Sequence, residues 1–102
     1  MIVEIRNKIS NDEFVFSKHA TDQSVLRHIK VDEISQAILN GEIIEDYPDD
    51  KYGPSCLILG YTINNRPLHI HCSYPGRILL KIITVYEPSS QEWSDDKKRR
   101  NI

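Results

Sequence analysis

Glycine is scarce in this sequence, with only 4 glycines in 102 residues and none of them clustered. Loops that cradle phosphate groups with backbone amides need closely spaced glycines, so that kind of nucleotide site is excluded. There are 2 cysteines, and neither a Cys-x-x-Cys nor a His-Glu-x-x-His spacing occurs, which argues against a structural zinc site or a zinc protease. No apolar run approaches the roughly 18 residues that a membrane-spanning helix needs, so no membrane partner is expected.

The charge balance is slightly acidic, with a net charge of −2 and an isoelectric point near 6.0. Binding of nucleic acid usually requires a strongly basic surface, so this balance weakens that class of function. The charge is nevertheless uneven, because acids crowd residues 42–50 and cations occupy residues 97–100. The first residues, Met1–Glu4, include an acid and show no signal peptide, so the expected location is cytoplasmic.

Three helices are predicted in the first part of the chain. Isoleucines at helical spacing predict an amphipathic helix over residues 2–11. Ser17 has the side chain of an N-cap for a second helix over residues 18–28, and Asp32 is the expected cap of a third. Asn40-Gly41 is a strong stop for that third helix. The positions predicted to be buried in the second helix are Ala20, Val25, Leu26 and Ile29.

After residue 41 the pattern changes to one typical of strands. The connections are short, and strands joined so tightly pair antiparallel. Ser89 and Glu92 have the spacing of a capping box, which predicts a terminal helix carrying Trp93. The fold class is therefore α+β in a single domain, with N-terminal helices, an antiparallel four-stranded sheet and a C-terminal helix. The strands are predicted over residues 42–47, 55–62, 67–74 and 79–86.

The two cysteines lie on neighbouring predicted strands. A tight turn at Asn64-Asn65 makes residues whose numbers sum to about 129 face each other. Cys56 then opposes Ser73, and Cys72 opposes Leu57, which places the two thiols on different faces of the sheet. We therefore expect reduced, structural cysteines.

The third predicted strand is the segment richest in chemistry. Its alternation places His69, His71 and Ser73 on one face, away from the apolar positions. Tyr86 of the fourth predicted strand is expected on the same side of the sheet. Because histidine gains or loses a proton near neutral pH, this face suits proton transfer.

Three motifs give the chain a recognisable signature: Ser-x-His-Ala at 17–20, Asp-Tyr-Pro-Asp-Asp-Lys-Tyr-Gly at 46–53 and Ile-Thr-Val-Tyr-Glu-Pro at 83–88. On these motifs the chain resembles a prokaryotic family, the domain of unknown function 4258, over roughly residues 14–100. The predicted architecture also resembles the RelE-like and MqsR-like toxins. These resemblances imply a toxin-like endoribonuclease of a toxin–antitoxin pair, which cleaves mRNA without a metal or cofactor and is held by a small antitoxin protein.

Cleavage of RNA by its own 2′-hydroxyl needs a base, an acid and groups that stabilise the phosphorane. His71 is the expected general base or acid, and Tyr86 is a second proton donor. Arg27 and Lys81 are the expected phosphate clamps, although Lys81 shares its alternation with core positions and is expected at the strand's edge. The candidate catalytic residues are His19, Arg27, His69, His71, Lys81 and Tyr86.

Other interpretations stay open at this point. A non-enzymatic interaction module would use the exposed sheet face, with His69, His71 and Tyr86, to dock a protein or peptide. A metal-binding protein would use the two histidines with a cysteine, but Cys72 is expected on the wrong face, so no metal is predicted. Histidines on half-exposed strands are, moreover, usually solvated surface residues.

Overall fold

The structure, a computed structural model, describes residues 1–101. The fold contains three helices, a five-stranded mixed sheet whose first strand lies between the first and second helices, and a small two-stranded sheet. The helices are α1 (Ile2–Ser10), α2 (Lys18–Leu26) and α3 (Val31–Leu39). The strands of the large sheet are β1 (Phe14–Phe16), β2 (Glu42–Tyr47), β3 (Ser55–Tyr61), β4 (Pro67–Ser73) and β5 (Leu80–Tyr86). The small sheet pairs β6 (Trp93–Ser94) with β7 (Lys98–Arg99).

The large sheet has the strand order β1-β5-β4-β3-β2. Strands β2 to β5 pair antiparallel, as their short connections require. β1 instead pairs parallel with β5, with Phe14 opposite Leu80 and Phe16 opposite Ile82. The predicted four-stranded antiparallel sheet is therefore wrong, because one strand and its parallel pairing were missed. Three residues are too few to show the alternation by which strands are identified.

The start of α2 is fixed by Ser17, as predicted. Its hydroxyl oxygen accepts the Ala20 backbone N–H at 2.9 Å, and the hydroxyl donates to the Ile83 carbonyl at 2.8 Å. One side chain therefore caps the helix and ties it to β5. Val25 and Leu26 were expected in the core, but both are exposed, at 71% and 70%. The helix ends at Leu26, and Ala20 is its buried residue.

The core lies between the helices and one face of the large sheet. α3 begins at Val31, before the predicted cap Asp32, and the Glu33 carboxylate accepts the Lys30 backbone N–H at 3.0 Å. Within residues 1–101, no helix has the length and hydrophobicity needed to cross a membrane. The α3 residues that enter the core are Ile34, Ala37 and Ile38, and the sheet residues beneath them include Ile58, Ile70, Ile82 and Val85.

The β3–β4 hairpin has a different register from the predicted one. Thr62 and Arg66 pair through a 3.0 Å backbone hydrogen bond, so the loop between them has three residues rather than two. Facing residues consequently sum to 128, and Cys56 lies directly opposite Cys72. The thiols are free, buried on the same face and 3.9 Å apart, which corrects the prediction that they point to different faces. Asn65, with φ of 64°, supplies the left-handed residue that such a loop needs.

A β-bulge in β5 changes which of its side chains face the core. His71 pairs with Thr84 and Cys72 pairs with Ile82, which leaves Ile83 as an extra residue. The extra residue shifts the alternation, so Lys81 lies on the same face as Tyr86, opposite to the buried Ile82. The prediction that Lys81 shares its face with the core was wrong for this reason.

The predicted C-terminal helix is a hairpin instead. Ser89 begins only a single turn, in which its carbonyl accepts the backbone N–H groups of Glu92 and Trp93. Asp95 and Asp96 then take positive φ values of 53° and 62°, the conformation of a two-residue hairpin turn. Two successive left-handed residues end any helix, and the chain returns antiparallel as β7. The capping-box spacing of Ser89 and Glu92 therefore marks a single local turn and not the start of a helix.

Gly60 allows α3 to lie directly on β3. A Cβ at this position would lie 1.8 Å from the Ala37 carbonyl oxygen, so any larger residue forces the helix off the sheet. We expect Gly60→Ala to lower the free energy of unfolding by about 1–3 kcal/mol through overpacking. Urea unfolding followed by circular dichroism measures this loss. Gly76→Ala is the control, because its Cβ would meet no atom within 4 Å; equal stability of the two variants would contradict the close approach.

Candidate functional site

Two adjoining clefts open on the face of the large sheet opposite the core. The cationic cleft, of about 340 Å³, lies between the start of α2, the β2–β3 loop and β5. The histidine cleft, of about 320 Å³, lies between β4, β5 and β7. Asp50 lines both. The cationic cleft is lined by residues that include His19, Asp50, Tyr52, Ser73, Arg77 and Lys81. The histidine cleft is lined by Tyr47, Asp50, Leu57, His71, Thr84, Tyr86 and Arg99.

A chain of hydrogen bonds from Asp50 holds His71. The Ser55 hydroxyl donates to Asp50 Oδ2 at 2.9 Å, and His71 Nε2 lies 2.8 Å from the same hydroxyl oxygen. Ser55 has a single hydroxyl proton, which points at Asp50, so Nε2 must be the donor of the second bond. Neutral His71 therefore carries its proton on Nε2. Its Nδ1 is left as an unprotonated acceptor.

His71 Nδ1 is the atom that a substrate can reach. It has no hydrogen-bond partner among residues 1–101, yet it is not one of their buried unpaired polar atoms. Burial lowers the pKa of His71, and the nearby Asp50 charge opposes that effect. Tyr47 packs edge-on against the imidazole, with ring centroids 5.5 Å apart. An oriented imidazole that is neutral at pH 7 and open to solvent meets the requirements of a general base.

His69, in contrast, is fully buried and lies outside both clefts. Its Nε2 lies 2.5 Å from the Asp96 carbonyl oxygen, which can only accept, so Nε2 donates that bond. Its Nδ1 then accepts from the Tyr86 hydroxyl at 3.1 Å. The Trp93 ring packs edge-on over the imidazole, at 4.4 Å between centroids. His69 thus fastens the β6–β7 hairpin to the sheet.

Tyr86 lines the histidine cleft, but its proton points away from it. The hydroxyl donates to His69 Nδ1, and burial raises the pKa of Tyr86, so the phenol stays protonated at neutral pH. His69 Nδ1 carries no proton that could replace one given up by Tyr86. This arrangement suits a residue that positions the neighbouring groups better than the proton donor expected from sequence.

Arg99 of β7 closes one end of the histidine cleft. It donates two hydrogen bonds to Glu45, from Nε to Oε2 at 2.9 Å and from Nη2 to Oε1 at 3.1 Å. The guanidinium also lies over the Trp93 ring, 4.7 Å from its centroid. The Tyr47 hydroxyl donates to the same carboxylate, and burial together with this bond raises the pKa of Tyr47 to about 12. A fixed positive charge therefore borders the cleft beside a neutral phenol.

The cationic cleft gathers positive charge on an otherwise acidic protein. Arg77 and Lys81 line it beside His19, and neither of these two cations forms an ion pair within residues 1–101. Its one carboxylate, Asp50, already accepts hydrogen bonds from the Ser55 hydroxyl and from the Tyr52 backbone N–H at 3.2 Å. The free cations outnumber this occupied acid, so the cleft favours an anionic ligand.

The structure brings together four of the six candidate residues. His71 and Tyr86 line the histidine cleft, while His19 and Lys81 line the cationic cleft. Arg27 lies outside both, at the C-terminal end of α2, where its Nε donates to Gln23 at 2.7 Å. Its predicted role as a phosphate clamp therefore has no support from its position.

Sequence reasoning missed several residues of the site. Asp50 was noted only as part of an acidic turn, and Ser55 only as the start of a strand. The correct register would have identified Ser55, because it places this residue opposite Ser73 and diagonal to His71. Arg99 was considered only as part of the basic run at residues 97–100, since the hairpin that carries it was predicted as a helix.

A metal site is not assembled in the part of the chain that the structure describes. No three His, Cys, Asp or Glu side chains of residues 1–101 are arranged to hold an ion. Cys56 and Cys72 lie in the core, on the sheet face opposite His71. The donor set considered from sequence is thus divided between two faces.

Comparison with known proteins gives one match. The model of a family described as Domain of unknown function (DUF4258) matches residues 16–87. No curated protein and no solved structure matches the chain. The expected similarity to RelE-like and MqsR-like toxins is therefore unsupported. The matched range contains Asp50, Ser55, His71 and Lys81, whereas the β6–β7 hairpin lies beyond it.

The hydrogen-bonded link between Asp50 and His71 predicts a shift in titration. The Asp50 charge raises the pKa of His71, so Asp50→Asn, which keeps the shape and the acceptor for Ser55, is expected to lower it. Proton NMR of the histidine C2–H resonances measures this pKa directly. His28, which lies outside both clefts, is the internal control. An unchanged or raised pKa of His71 would disprove the proposed link.

The two strand histidines also make stability depend on pH. Burial lowers the pKa of both His69 and His71 in the folded state, so the unfolded chain binds more protons below about pH 6.5. Their contribution is complete above that pH and is lost as the pH falls through it toward the folded-state values. We expect the free energy of unfolding, from urea titrations between pH 7.5 and 5.5, to fall less steeply in His69→Gln. His28→Gln should keep the slope of the wild-type protein, and an identical slope in all three would contradict this account.

Proposed function

Because the chain belongs to the family described as Domain of unknown function (DUF4258), whose description assigns no chemistry, we propose a function from the site itself. The protein is a ribonuclease that cleaves RNA by transesterification, with His71 as general base. The observation that carries this proposal is the solvent-reachable Nδ1 of a neutral imidazole whose other nitrogen is held by Ser55 and Asp50. The adjoining cations supply the charge that a phosphodiester needs.

The reaction requires only groups that the two clefts contain. His71 Nδ1 takes the proton of the ribose 2′-hydroxyl, and the 2′-oxygen attacks the adjacent phosphorus. The bond from phosphorus to the 5′-oxygen of the next nucleotide breaks, and that oxygen takes up a proton. The products are a 2′,3′-cyclic phosphate and a free 5′-hydroxyl. No electrons are transferred to or from the RNA, so the step needs no redox partner.

The cationic cleft supplies the remaining roles in this proposal. Lys81 and Arg77 stabilise the extra negative charge of the phosphorane. His19, which lines the same cleft, protonates the departing 5′-oxygen. Tyr86 accepts a hydrogen bond from the substrate through its free lone pairs, while its own hydroxyl proton stays directed at His69 Nδ1. Asp50, which lines both clefts, orients the base through Ser55 and favours the imidazolium that forms.

In the cell, the proposal extends to a toxin that cleaves mRNA and is held inactive by a small antitoxin protein. An antitoxin would need to block the two clefts, which are accessible in the isolated chain. Expression of the wild-type protein in a bacterial host is then expected to arrest growth, and His71→Ala at matched levels is not. The biochemical proposal does not depend on this outcome, because it concerns the reaction alone.

The alternative of a non-enzymatic module that docks a partner on this face has less support. His69, one of its three expected contact residues, is fully buried. The β6–β7 hairpin covers that part of the sheet through the Trp93 and Asp96 contacts. What stays accessible is the two concave clefts, which suit a small charged ligand better than a protein surface.

The proposed reaction predicts a defined effect of replacing His71. Purified wild-type protein is expected to cleave single-stranded RNA in the presence of EDTA, with 2′,3′-cyclic phosphate ends detected by mass spectrometry. His71→Ala should reduce the rate by about 100-fold or more, the usual contribution of a general base. His28→Ala is the matched control and should keep the wild-type rate.

A 2′-deoxy substitution at the cleaved position tests the nucleophile. An RNA oligonucleotide that carries it should resist cleavage there, because the attacking oxygen is absent. Cleavage of this oligonucleotide, or equal rates for His71→Ala and wild type, would refute the mechanism. Loss of activity on adding EDTA would show that a metal, rather than His71, activates the nucleophile.

A further inference from the structure

We propose that the cationic cleft binds a single ribonucleotide, with its phosphate among Lys81, Arg77 and Ser73 and its base against Tyr52. This inference deepens the proposed ribonuclease function, on which it rests for the choice of an RNA nucleotide. It makes Tyr52 and Arg77 binding residues, although neither belongs to the six candidates taken from sequence. The cleft then selects and orients the nucleotide whose 2′-hydroxyl gives its proton to His71.

The phosphate position follows from charge and from one unused donor. The Lys81 ammonium and the Arg77 guanidinium are positive charges of the cleft that form no ion pair within residues 1–101. Ser73 is only 4% exposed, and its Oγ accepts the Lys81 backbone N–H at 2.9 Å. The hydroxyl proton of Ser73 has no acceptor among residues 1–101, so it is available to a ligand oxygen. A buried donor beside free cations is the arrangement that a phosphate oxygen satisfies.

The base position follows from an exposed aromatic ring at the cleft edge. Tyr52 is 84% exposed, and the Lys51 ammonium lies over its ring, 5.0 Å from the centroid. Its backbone N–H donates to Asp50 at 3.2 Å, which places the residue at the edge of the cleft. Pro54 and Ile83 add apolar surface to the same cleft. Aromatic side chains next to cations are the usual platform on which nucleotide bases stack.

The size of the cleft limits the ligand to one nucleotide. Pockets for small molecules span roughly 300–1,000 Å³, and the cationic cleft, at about 340 Å³, is at the lower end. The strand beyond this nucleotide must therefore leave the cleft. Asp50, on the wall shared with the histidine cleft, marks the side on which the 2′-hydroxyl of this nucleotide faces His71.

The inference is tested by binding rather than by cleavage. Nitrogen–proton NMR titrations of the full chain use 3′-AMP and 3′-UMP as probes, with adenosine and inorganic phosphate as partial ligands. The variants are Lys81→Met, Arg77→Gln and Tyr52→Ala, and Lys98→Met is the control for a cation outside the clefts.

The variants are expected to distinguish binding of the phosphate from binding of the base. Lys81→Met should weaken both nucleotides and inorganic phosphate by about tenfold or more, because it removes a charged donor. Tyr52→Ala should weaken the nucleotides by about tenfold and leave inorganic phosphate unchanged, since stacking involves only the base. Lys98→Met should bind as the wild-type protein does. Shifted resonances should include those of Tyr52, Ser73 and Lys81.

Two outcomes would overturn the inference. Nucleotide binding that is insensitive to both Lys81→Met and Tyr52→Ala would place the ligand elsewhere on the chain. Binding of inorganic phosphate with no gain for the nucleotides would reduce the cleft to an anion site. The cleavage assay is independent of these results: a protein that binds nucleotides here but leaves RNA uncut would refute the ribonuclease mechanism and keep the nucleotide site.

Discussion

The register of β4 between its two neighbours is the constraint on which the site depends. The three-residue loop before β4 sets its pairing with β3, which brings Ser55 within 2.8 Å of His71. A shift of one residue would send His71 into the core and expose the apolar positions, so burial of the opposite face enforces the register. The geometry of a turn distant from the clefts therefore determines whether the base is held at all. Packing and chemistry are fixed by the same backbone pairing.

The two histidines of β4 differ in role because they differ in burial: His69 holds the hairpin to the sheet, and His71 is open to a ligand. They lie two positions apart on one face, but the β6–β7 hairpin covers His69 and leaves His71 open. The covering residues, Trp93 and Asp96, follow the range matched by the family model, residues 16–87. Burial of His69 is thus a contribution of the C-terminal segment of this chain. Arg99, at the edge of the histidine cleft, belongs to that segment too.

Sequence reasoning succeeded where local patterns decide the outcome. The bounds of β2 and the cap at Ser17 were correct, because alternation and N-cap chemistry act over a few residues. Errors arose where the structure of a segment depends on pairing with residues far away in the sequence. β1 is held by a parallel pairing with β5, some 66 residues later, and β7 by contacts with the sheet rather than by its own sequence. In the site, alternation identified the face of His71, but the Ser55 link required a register that depends on one loop residue.

The bulge at Ile83 has a consequence for how β5 tolerates change. The strand consists of two halves in different phase, one of which directs Lys81 outward and the other Tyr86. A substitution at Ile83 alters one side chain on the wall of the cationic cleft. A deletion there would restore regular alternation, with Lys81 and Tyr86 still facing outward, but it would remove the carbonyl that accepts the Ser17 hydroxyl. Ile83 therefore contributes mainly through its backbone, which ties the start of α2 to the sheet.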